Sequence, residues 1–331
     1  MYRVAEFFVG FTLCLVLTSV LLPLLKKLKV WQEILSYVTE HQAKAGTPTM
    51  GGIAFVIAIT ASALIFCDLS DRTILVAVAV FVAYGVIGFL DDFIKLRYKR
   101  NLGLRAYQKI LFQLAVAVFV GLYVYGNVVV GSKLRLPFSV KSVDVGFWVI
   151  PLVVFIFVAC TNGVNLTDGI DGLATSTTMC FLMGMIVLLF RERAMSESVG
   201  DTYAVETLDN IVTLCIVSVG ALWAFLLFNV NNAKVFMGDT GSLALGALVA
   251  CVAIFTRMSL FIPVVGLMYV VSCVSVIVQV VYFKLSGGKR VFLMAPFHHH
   301  LQQKGWSESR ICALYCFVTV ATTLILACFG E

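Results

Sequence analysis

Long apolar stretches separated by short polar connections run through the whole chain. A helix needs about 20 mostly apolar residues to cross the roughly 30 Å hydrocarbon core of a bilayer, and ten segments approach that length. They lie near residues 4–25, 50–67, 73–90, 110–130, 146–160, 172–190, 209–228, 243–256, 259–283 and 310–329. The pattern predicts an all-α integral membrane protein, with about ten transmembrane helices in one bundle that forms a single domain over residues 1–331.

Three segments need a closer description. The first apolar segment is not followed by a small-residue cleavage site and precedes further spans, so we expect a retained helix. Residues 131–145 alternate weakly between apolar and polar positions and predict a small external hairpin. In the ninth span, Pro263 and Gly266 predict a kink.

Composition agrees with a membrane protein and excludes a soluble globular domain. The chain is 61% hydrophobic and 13% charged, whereas soluble domains carry roughly 25% charged residues. All ten cysteines lie within or beside apolar segments, and no CxxC pair is present. No histidine lies at metal-site spacing from them either, so we expect the cysteines to be small apolar packing residues.

The distribution of basic residues predicts the orientation. With ten spans the connections alternate between the two sides, and 16 of the 24 Lys and Arg residues fall in the odd-numbered connections. Because basic residues accumulate in cytoplasmic loops, we expect the odd-numbered connections in the cytoplasm and both termini on the periplasmic or extracellular side.

Three polar clusters on the predicted cytoplasmic side contain paired or glycine-flanked aspartates. Asp91 and Asp92 end the third span, where they would bind a divalent metal or be neutralised by Lys95 at a solvated helix end. Asp168 and Asp171 lie in TNGVNLTDGIDGLA, which predicts close backbone approach to a ligand or an Asx-type turn that caps the next helix.

The third aspartate cluster is NVNNAKVFMGDTGS, where Asp239 precedes an apolar segment. A helix N-terminus that follows glycines binds anions well, and Asp239 could hold a metal that bridges to that anion. Phe236 has no obvious core to join, so it either stacks on a nucleotide base or inserts into the membrane interface.

Histidines mark the remaining two clusters. APFHHHLQQKGW holds His298, His299 and His300, and three consecutive residues of a regular helix cannot all face one metal. Phosphate binding or proton transfer is therefore the better expectation for this triplet. HQAKAGTPTMGG places His41 and Lys44 before the second span, either in the site or in an ordinary basic turn.

All five clusters fall on one face under a topology derived only from hydrophobicity and basic residues. We therefore predict one shared active site, built from cytoplasmic loops at residues 26–49, 91–109, 161–171, 229–242 and 284–309. Together with the acids, the lysines suit a metal and a substrate that carries a pyrophosphate. These lysines are Lys44, Lys95, Lys99 and Lys109.

These motifs resemble the polyprenyl-phosphate N-acetylhexosamine-1-phosphate transferases, and within that family the phospho-MurNAc-pentapeptide translocase branch. The similarity extends over the whole chain, and its most specific part is the histidine motif. The matching motifs are TPTMGG at 47–52, DD at 91–92, NLTDGIDGLA at 165–174, NNAKVFMGDTGS at 231–242 and PFHHHLQQKGW at 296–306.

The resemblance implies transfer of phospho-MurNAc-pentapeptide from UDP-MurNAc-pentapeptide to undecaprenyl phosphate, which yields lipid I and UMP for peptidoglycan synthesis. It further implies Mg²⁺ as cofactor, a bacterial inner membrane location, a homodimer and no nucleic-acid partner. Asp239 would bind the metal directly, with Asp91 and Asp92 as further ligands or as groups that orient or deprotonate the lipid phosphate.

The resemblance also assigns the other site residues. Uridine recognition is implied for the turn of Asp168, Gly169, Ile170 and Asp171, with Phe236 stacking on the base and Asn165 and Asn229 assisting. We expect His298 to act in catalysis, and His299 and His300 to contact substrate phosphate.

Two alternatives remain open from the sequence. A related transferase would use UDP-GlcNAc in place of the MurNAc substrate. An ion-coupled transporter would also contain acids within its spans, but its carboxylates should lie near the middle of the membrane and not at helix ends.

Overall fold

The computed structural model describes residues 2–28, 30, 46–98 and 103–329. The chain forms twelve helices in these ranges. They are α1 Tyr2–Lys27, α2 Gly52–Phe66, α3 Arg72–Arg97, α4 Ala106–Gly126, α5 Val149–Thr167, α6 Leu173–Ser198, α7 Thr202–Asn229, α8 Gly238–Phe255, α9 Ile262–Val265, α10 Leu267–Leu285, α11 Phe297–Gln303 and α12 Glu308–Phe329.

The predicted fold class is confirmed. Among the described residues, nine helices are long and apolar enough to cross a membrane, and α2 is a shorter apolar helix of 15 residues. Each of the ten apolar segments overlaps one of these helices. The protein is therefore a multi-pass membrane protein whose helices form one all-α bundle.

The predicted hairpin and the predicted kink are both present. Strands β1 (Lys133–Arg135) and β2 (Ser142–Asp144) pair antiparallel, with Leu134 opposite Val143. The ninth span divides into the short α9 and the long α10 at Gly266. Pro263 lies in the first turn of α9, where its missing N–H leaves no helical hydrogen bond unmade.

Helix α8 lies at the centre of the bundle and is buried along nearly its whole length. Its neighbours approach closely because they present glycine to it. A methyl group on Gly88 of α3 would overlap the backbone of Asp239, and one on Gly52 of α2 would overlap Gly241. Small residues at such crossings allow the helix backbones to come together, which places the first turn of α8 directly against α2 and α3.

Helices α3 and α5 continue past their predicted ends, and both extensions carry residues of the predicted site. Helix α3 runs to Arg97, so Asp91 and Asp92 lie inside its last turns and not after them. Helix α5 runs to Thr167, so Asn165 is helical. A prediction from hydrophobicity ends the helix at the first charged residue. The helix itself continues where a nearby partner neutralises the charge, as Lys95 does for Asp91 one turn away.

Candidate active site

Asp92 joins the end of α3 to the beginning of α8. Its Oδ1 accepts the backbone N–H of Asp239 at 3.1 Å, and its Oδ2 accepts the backbone N–H and the hydroxyl of Thr240 at 2.9 and 2.7 Å. The first N–H groups of a helix have no partner within the helix. Asp92 supplies that partner from another helix and so fixes the position of Asp239.

Both carboxylate oxygens of Asp239 are occupied by donors from three other helices. Oδ2 accepts the ammonium groups of Lys95 and Lys109 at 2.9 and 2.8 Å, and Oδ1 accepts the side-chain amide of Asn165 at 2.7 Å. Lys95 also contacts Asp91 at 2.7 Å. Acids and lysines from α3, α4 and α8, together with Asn165 of α5, therefore form a single cluster at one end of the bundle.

The donor set in this cluster fits a hard divalent cation. Asp91, Asp92 and Asp239 can each bring one carboxylate oxygen within 4.8 Å of the others. Carboxylate oxygen is the ligand that Mg²⁺ prefers, usually together with substrate phosphate oxygens. Three carboxylates close together repel one another, and in the described residues the ammonium groups of Lys95 and Lys109 reduce that repulsion.

A cleft of about 240 Å³ opens beside the cluster. Its walls carry much of the predicted nucleotide-binding turn and the aromatic ring singled out from the sequence. The lining residues are Thr49, Asp92, Asn165, Asp168, Gly169, Ile170, Asp171, Asn229, Phe236, Gly238 and Asp239.

The electrostatics of this cleft are dominated by acids. The pKa of Asp168 is raised well above its usual range, first by burial and then by the neighbouring carboxylates of Asp239, Asp92 and Asp171. A cleft of this charge suits a ligand that arrives with a cation, because a bare pyrophosphate would be repelled.

Two of the residues predicted to bind uridine use their side chains to hold the loop at 230–237. Asp171 accepts the backbone N–H of Ala233 at 3.0 Å. Asn229 donates to the carbonyl of Val235 at 3.0 Å and accepts the hydroxyl of Thr175 at 2.7 Å. This loop carries Phe236, so Asp171 and Asn229 position the aromatic wall of the cleft.

The histidine triplet lies on the short helix α11, and its members have different surroundings. His298 is fully buried against Gly169, where any side chain at residue 169 would overlap its ring. His299 Nδ1 lies 2.7 Å from the Gln302 side-chain oxygen. The structure therefore brings these two histidines to the turn at residues 168–171, for which uridine binding is a prediction.

His300 is directed away from that turn. Its Nδ1 accepts the backbone N–H of Leu293 at 3.1 Å, and its ring packs against Phe292 and Phe297. Burial, followed by the charge of Lys304, lowers the pKa of His300 below its usual value. A contact between His300 and substrate remains a prediction, whereas its contacts in the structure hold the loop before α11.

Lys44 and Lys99, and also His41, lie outside the described residues.

Several residues near the site escaped prediction because they have no chemical signature alone. Thr240 donates its backbone N–H and its hydroxyl to Asp92, and Thr49 lines the cleft. Gln302 donates to Glu308 beside the histidine helix. Gln302 lies inside the PFHHHLQQKGW motif, which is the sequence signal that could have drawn attention to it.

The model of glycosyl transferase family 4 matches residues 74–257. Residues 44–56 match signature 1 of the phospho-N-acetylmuramoyl-pentapeptide-transferases.

Individual relatives match nearly the full chain. A phospho-N-acetylmuramoyl-pentapeptide-transferase of Clostridium novyi is 41% identical over 318 residues, which cover 96% of this chain and 93% of the relative. Proteins of the same name from Clostridium botulinum and Clostridioides difficile are 42% and 40% identical, each over 96% of this chain and over 93% and 94% of their own lengths.

The helices define a multi-pass membrane protein, and the match over residues 74–257 shows that it is a member of glycosyl transferase family 4. Within that class, the chain belongs to the phospho-N-acetylmuramoyl-pentapeptide-transferase family.

Proposed function

We propose that the protein transfers phospho-MurNAc-pentapeptide from UDP-MurNAc-pentapeptide to undecaprenyl phosphate, which gives lipid I and UMP. Membership of the family supports this reaction. The observation that carries it at the level of the site is Asp239, which lines the cleft while both Lys95 and Lys109 contact its carboxylate. The carrier would place its pyrophosphate beside this cluster.

The reaction is a phosphoryl transfer in which an oxygen of the lipid phosphate attacks the β-phosphorus. The bond between that phosphorus and the bridging oxygen breaks, and UMP leaves with the electron pair. Such transfers depend mainly on positioning and charge neutralisation. Because the second pKa of a phosphate monoester is about 6, the attacking phosphate is already mostly ionised at neutral pH and needs no strong base.

The chain's own residues divide this work. Asp239, with Asp91 and Asp92, would hold Mg²⁺, which supplies positive charge to the pyrophosphate oxygens when bound. Lys95 and Lys109 neutralise negative charge from the sides of α3 and α4. Asp92 holds α8 in place, and Phe236 provides a flat apolar surface for a base beside the Asp168 turn.

Orientation, location and assembly complete the proposal. The basic connections support a site that faces the cytoplasm and termini that face the other side of a bacterial inner membrane. We further propose that the protein acts as a homodimer, as the family resemblance implies. The orientation is tested with single cysteines placed next to Lys234 or in the 136–141 loop. Their reaction with membrane-impermeant reagents added from one side shows which side of the membrane each position faces.

The reaction itself is tested with purified protein, undecaprenyl phosphate, Mg²⁺ and one labelled sugar nucleotide at a time. The expected result is UMP release and lipid-linked product with UDP-MurNAc-pentapeptide and neither with UDP-GlcNAc. Product formed only from UDP-GlcNAc would replace this proposal with the related transferase. No UMP from either substrate would exclude the enzyme function.

Asp239→Asn tests the centre of the site. The amide cannot supply a charged metal ligand, so transfer and the response to added Mg²⁺ should be lost together, with at least about a 10³-fold lower rate. Asp201→Asn is the matched control, because Asp201 also lies at a helix start but on the other face, where its side chain accepts from Ala204. Appreciable Mg²⁺-stimulated transfer by Asp239→Asn would remove Asp239 from the catalytic centre.

A further inference from the structure

Thr175 lies in the first turn of α6, shortly after the turn at residues 168–171. The hydroxyls of Ser176 and Thr178 donate to the carbonyls four residues before them, as hydroxyls in helices often do. The Thr175 hydroxyl instead donates to the side-chain oxygen of Asn229 at 2.7 Å, and both residues are buried. This hydrogen bond joins the start of α6 to the end of α7.

The hydrogen bonds of the Asn229 amide determine its orientation. Its nitrogen donates to the carbonyl of Val235 at 3.0 Å, and a carbonyl can only accept, so the NH₂ group must face Val235. The amide oxygen then faces Thr175, and because this oxygen also only accepts, the threonine hydroxyl must donate. Removing that donor would leave the buried amide without the contact that keeps it from turning.

Asn229 in turn holds the main chain on which Phe236 is carried. The carbonyl of Val235 and the N–H of Phe236 belong to one planar peptide group. Asn229 binds its carbonyl end, and its N–H end donates to the carbonyl of Pro48 at 2.8 Å. The following peptide group is held as well, since the carbonyl of Phe236 accepts the N–H of Gly51 at 2.8 Å. Neither group can rotate without losing a hydrogen bond, so the direction of the Phe236 side chain is fixed.

We propose that Thr175 is a positioning residue for nucleotide binding, whose hydroxyl acts through Asn229 to hold the Phe236 ring in the direction that stacks on the base. Phe236 and the turn at residues 168–171 both line the cleft, so Thr175 connects the helix after the turn to the aromatic wall. The inference rests on the proposed function for its ligand, a uridine nucleotide.

The kinetic test removes the donor and keeps the shape of the side chain. In Thr175→Val, KM for the UDP-linked substrate should rise about five- to tenfold, while kcat stays within about twofold, because only binding of the base is weakened. KM for the polyprenyl phosphate should not change. Thr175→Ser restores a hydroxyl and should return KM to within about twofold of the wild type. An unchanged KM in Thr175→Val, or an equal rise in Thr175→Ser, would overturn the role of the hydroxyl.

Thr177→Val is the matched control on the same helix. The buried hydroxyl of Thr177 has no hydrogen-bond partner among the described residues, so this variant should keep the wild-type KM. An equal rise in KM in Thr177→Val would mean that any such change in α6 weakens binding, and it would overturn the inference.

A double variant tests whether Thr175 acts through the aromatic ring. Phe236→Leu removes the ring, so adding Thr175→Val to it should raise KM for the UDP-linked substrate by less than about a further twofold. Increases that multiply in the double variant would show that Thr175 does not act through Phe236.

Hydrogen exchange reports on the peptide group itself and needs no nucleotide. The N–H of Phe236 should exchange faster with solvent deuterium in Thr175→Val than in the wild type, whereas Thr177→Val should leave the rate unchanged. Equal exchange in all three proteins would show that the Thr175 hydroxyl does not hold this peptide group.

Binding of UMP, measured by calorimetry on the purified protein, separates this inference from the proposed reaction. The Kd of UMP should rise about five- to tenfold in Thr175→Val and stay unchanged in Thr177→Val. That result would support the inference even in a preparation that forms no lipid product, and an unchanged Kd in Thr175→Val would overturn it even if transfer occurs. A wild type that does not bind UMP would overturn it together with the nucleotide part of the proposed function.

Discussion

Asp92 and Thr240 are 148 residues apart, yet the carboxylate of Asp92 accepts both the backbone N–H and the hydroxyl of Thr240, at 2.9 and 2.7 Å. This contact makes the end of α3 the N-terminal cap of α8. It places Asp239 next to Lys95, so one buried carboxylate holds the helices of the site together and also lies within reach of a metal at Asp91 and Asp239.

Asp92→Asn should therefore lower both the stability of the protein and its rate of transfer. An amide has one accepting oxygen, so its NH₂ group would oppose an N–H donor of α8, at a cost of about 1–3 kcal/mol. We expect a lower apparent Tm in detergent together with at least about tenfold slower UMP release. Asp68→Asn is the control, because Asp68 is exposed and caps only Ser70. Unchanged Tm in Asp92→Asn would contradict the capping role.

Lys109→Met should slow transfer with little effect on folding. Lys109 and Lys95 share one oxygen of Asp239, and removing one ammonium leaves negative charge uncompensated beside the pyrophosphate. We expect kcat to fall about 10- to 100-fold, with only partial recovery in Lys109→Arg because the planar guanidinium has a different shape. Lys141→Met, on the exposed loop between β1 and β2, should match the wild type. Wild-type kcat in Lys109→Met would exclude this lysine from the reaction.

Gly169→Ala should impair the nucleotide side of the cleft through a steric effect. The added methyl group would overlap Nε2 of the fully buried His298 ring, which has little room to move. We expect KM for the UDP-linked substrate to rise at least about fivefold, because the turn must shift by more than the site tolerates. Gly126→Ala has open space around its methyl group and should leave KM unchanged. If both variants bind substrate like the wild type, the turn is not packed as described.

Asp168→Asn should change the pH dependence of stability. Burial and neighbouring carboxylates raise the pKa of Asp168 above its value of 3.8 in the unfolded chain. The folded state therefore holds this proton more tightly, and the wild type loses stability as pH rises from 3.8 through the raised pKa. The variant does not ionise, so its advantage in Tm should be absent near pH 4 and grow towards pH 8.

Asp144→Asn provides a control of opposite sign for this measurement. The Ser132 hydroxyl and the Gly146 N–H lower the pKa of Asp144, so its charge favours the folded state. That variant should be slightly less stable than the wild type at neutral pH, and the difference should fade as pH falls through the Asp144 pKa. A Tm difference for Asp168→Asn that stays constant with pH would show that its ionisation does not affect folding.

The amino-acid sequence by itself determined the membrane fold, the break near Gly266 and the residues that gather at one end of the bundle. Apolar length and the positions of Lys, Arg, Gly and Pro are local properties, and the bilayer converts them directly into spans and sides. The same information singled out Asp91, Asp92, Asp168, Asp239 and the histidine triplet as candidate site residues, since acids and histidines beside apolar helices are rare and conspicuous.

Only the tertiary structure decided what each of these residues touches. It made Asp92 the cap of α8, made Asp171 and Asn229 supports for the loop that carries Phe236, and separated His300 from its two neighbours. These roles depend on helices that are far apart in sequence and meet through close glycine crossings. Hydrogen bonds are directional and act over about 3 Å, so they follow from the packed geometry and not from residue type.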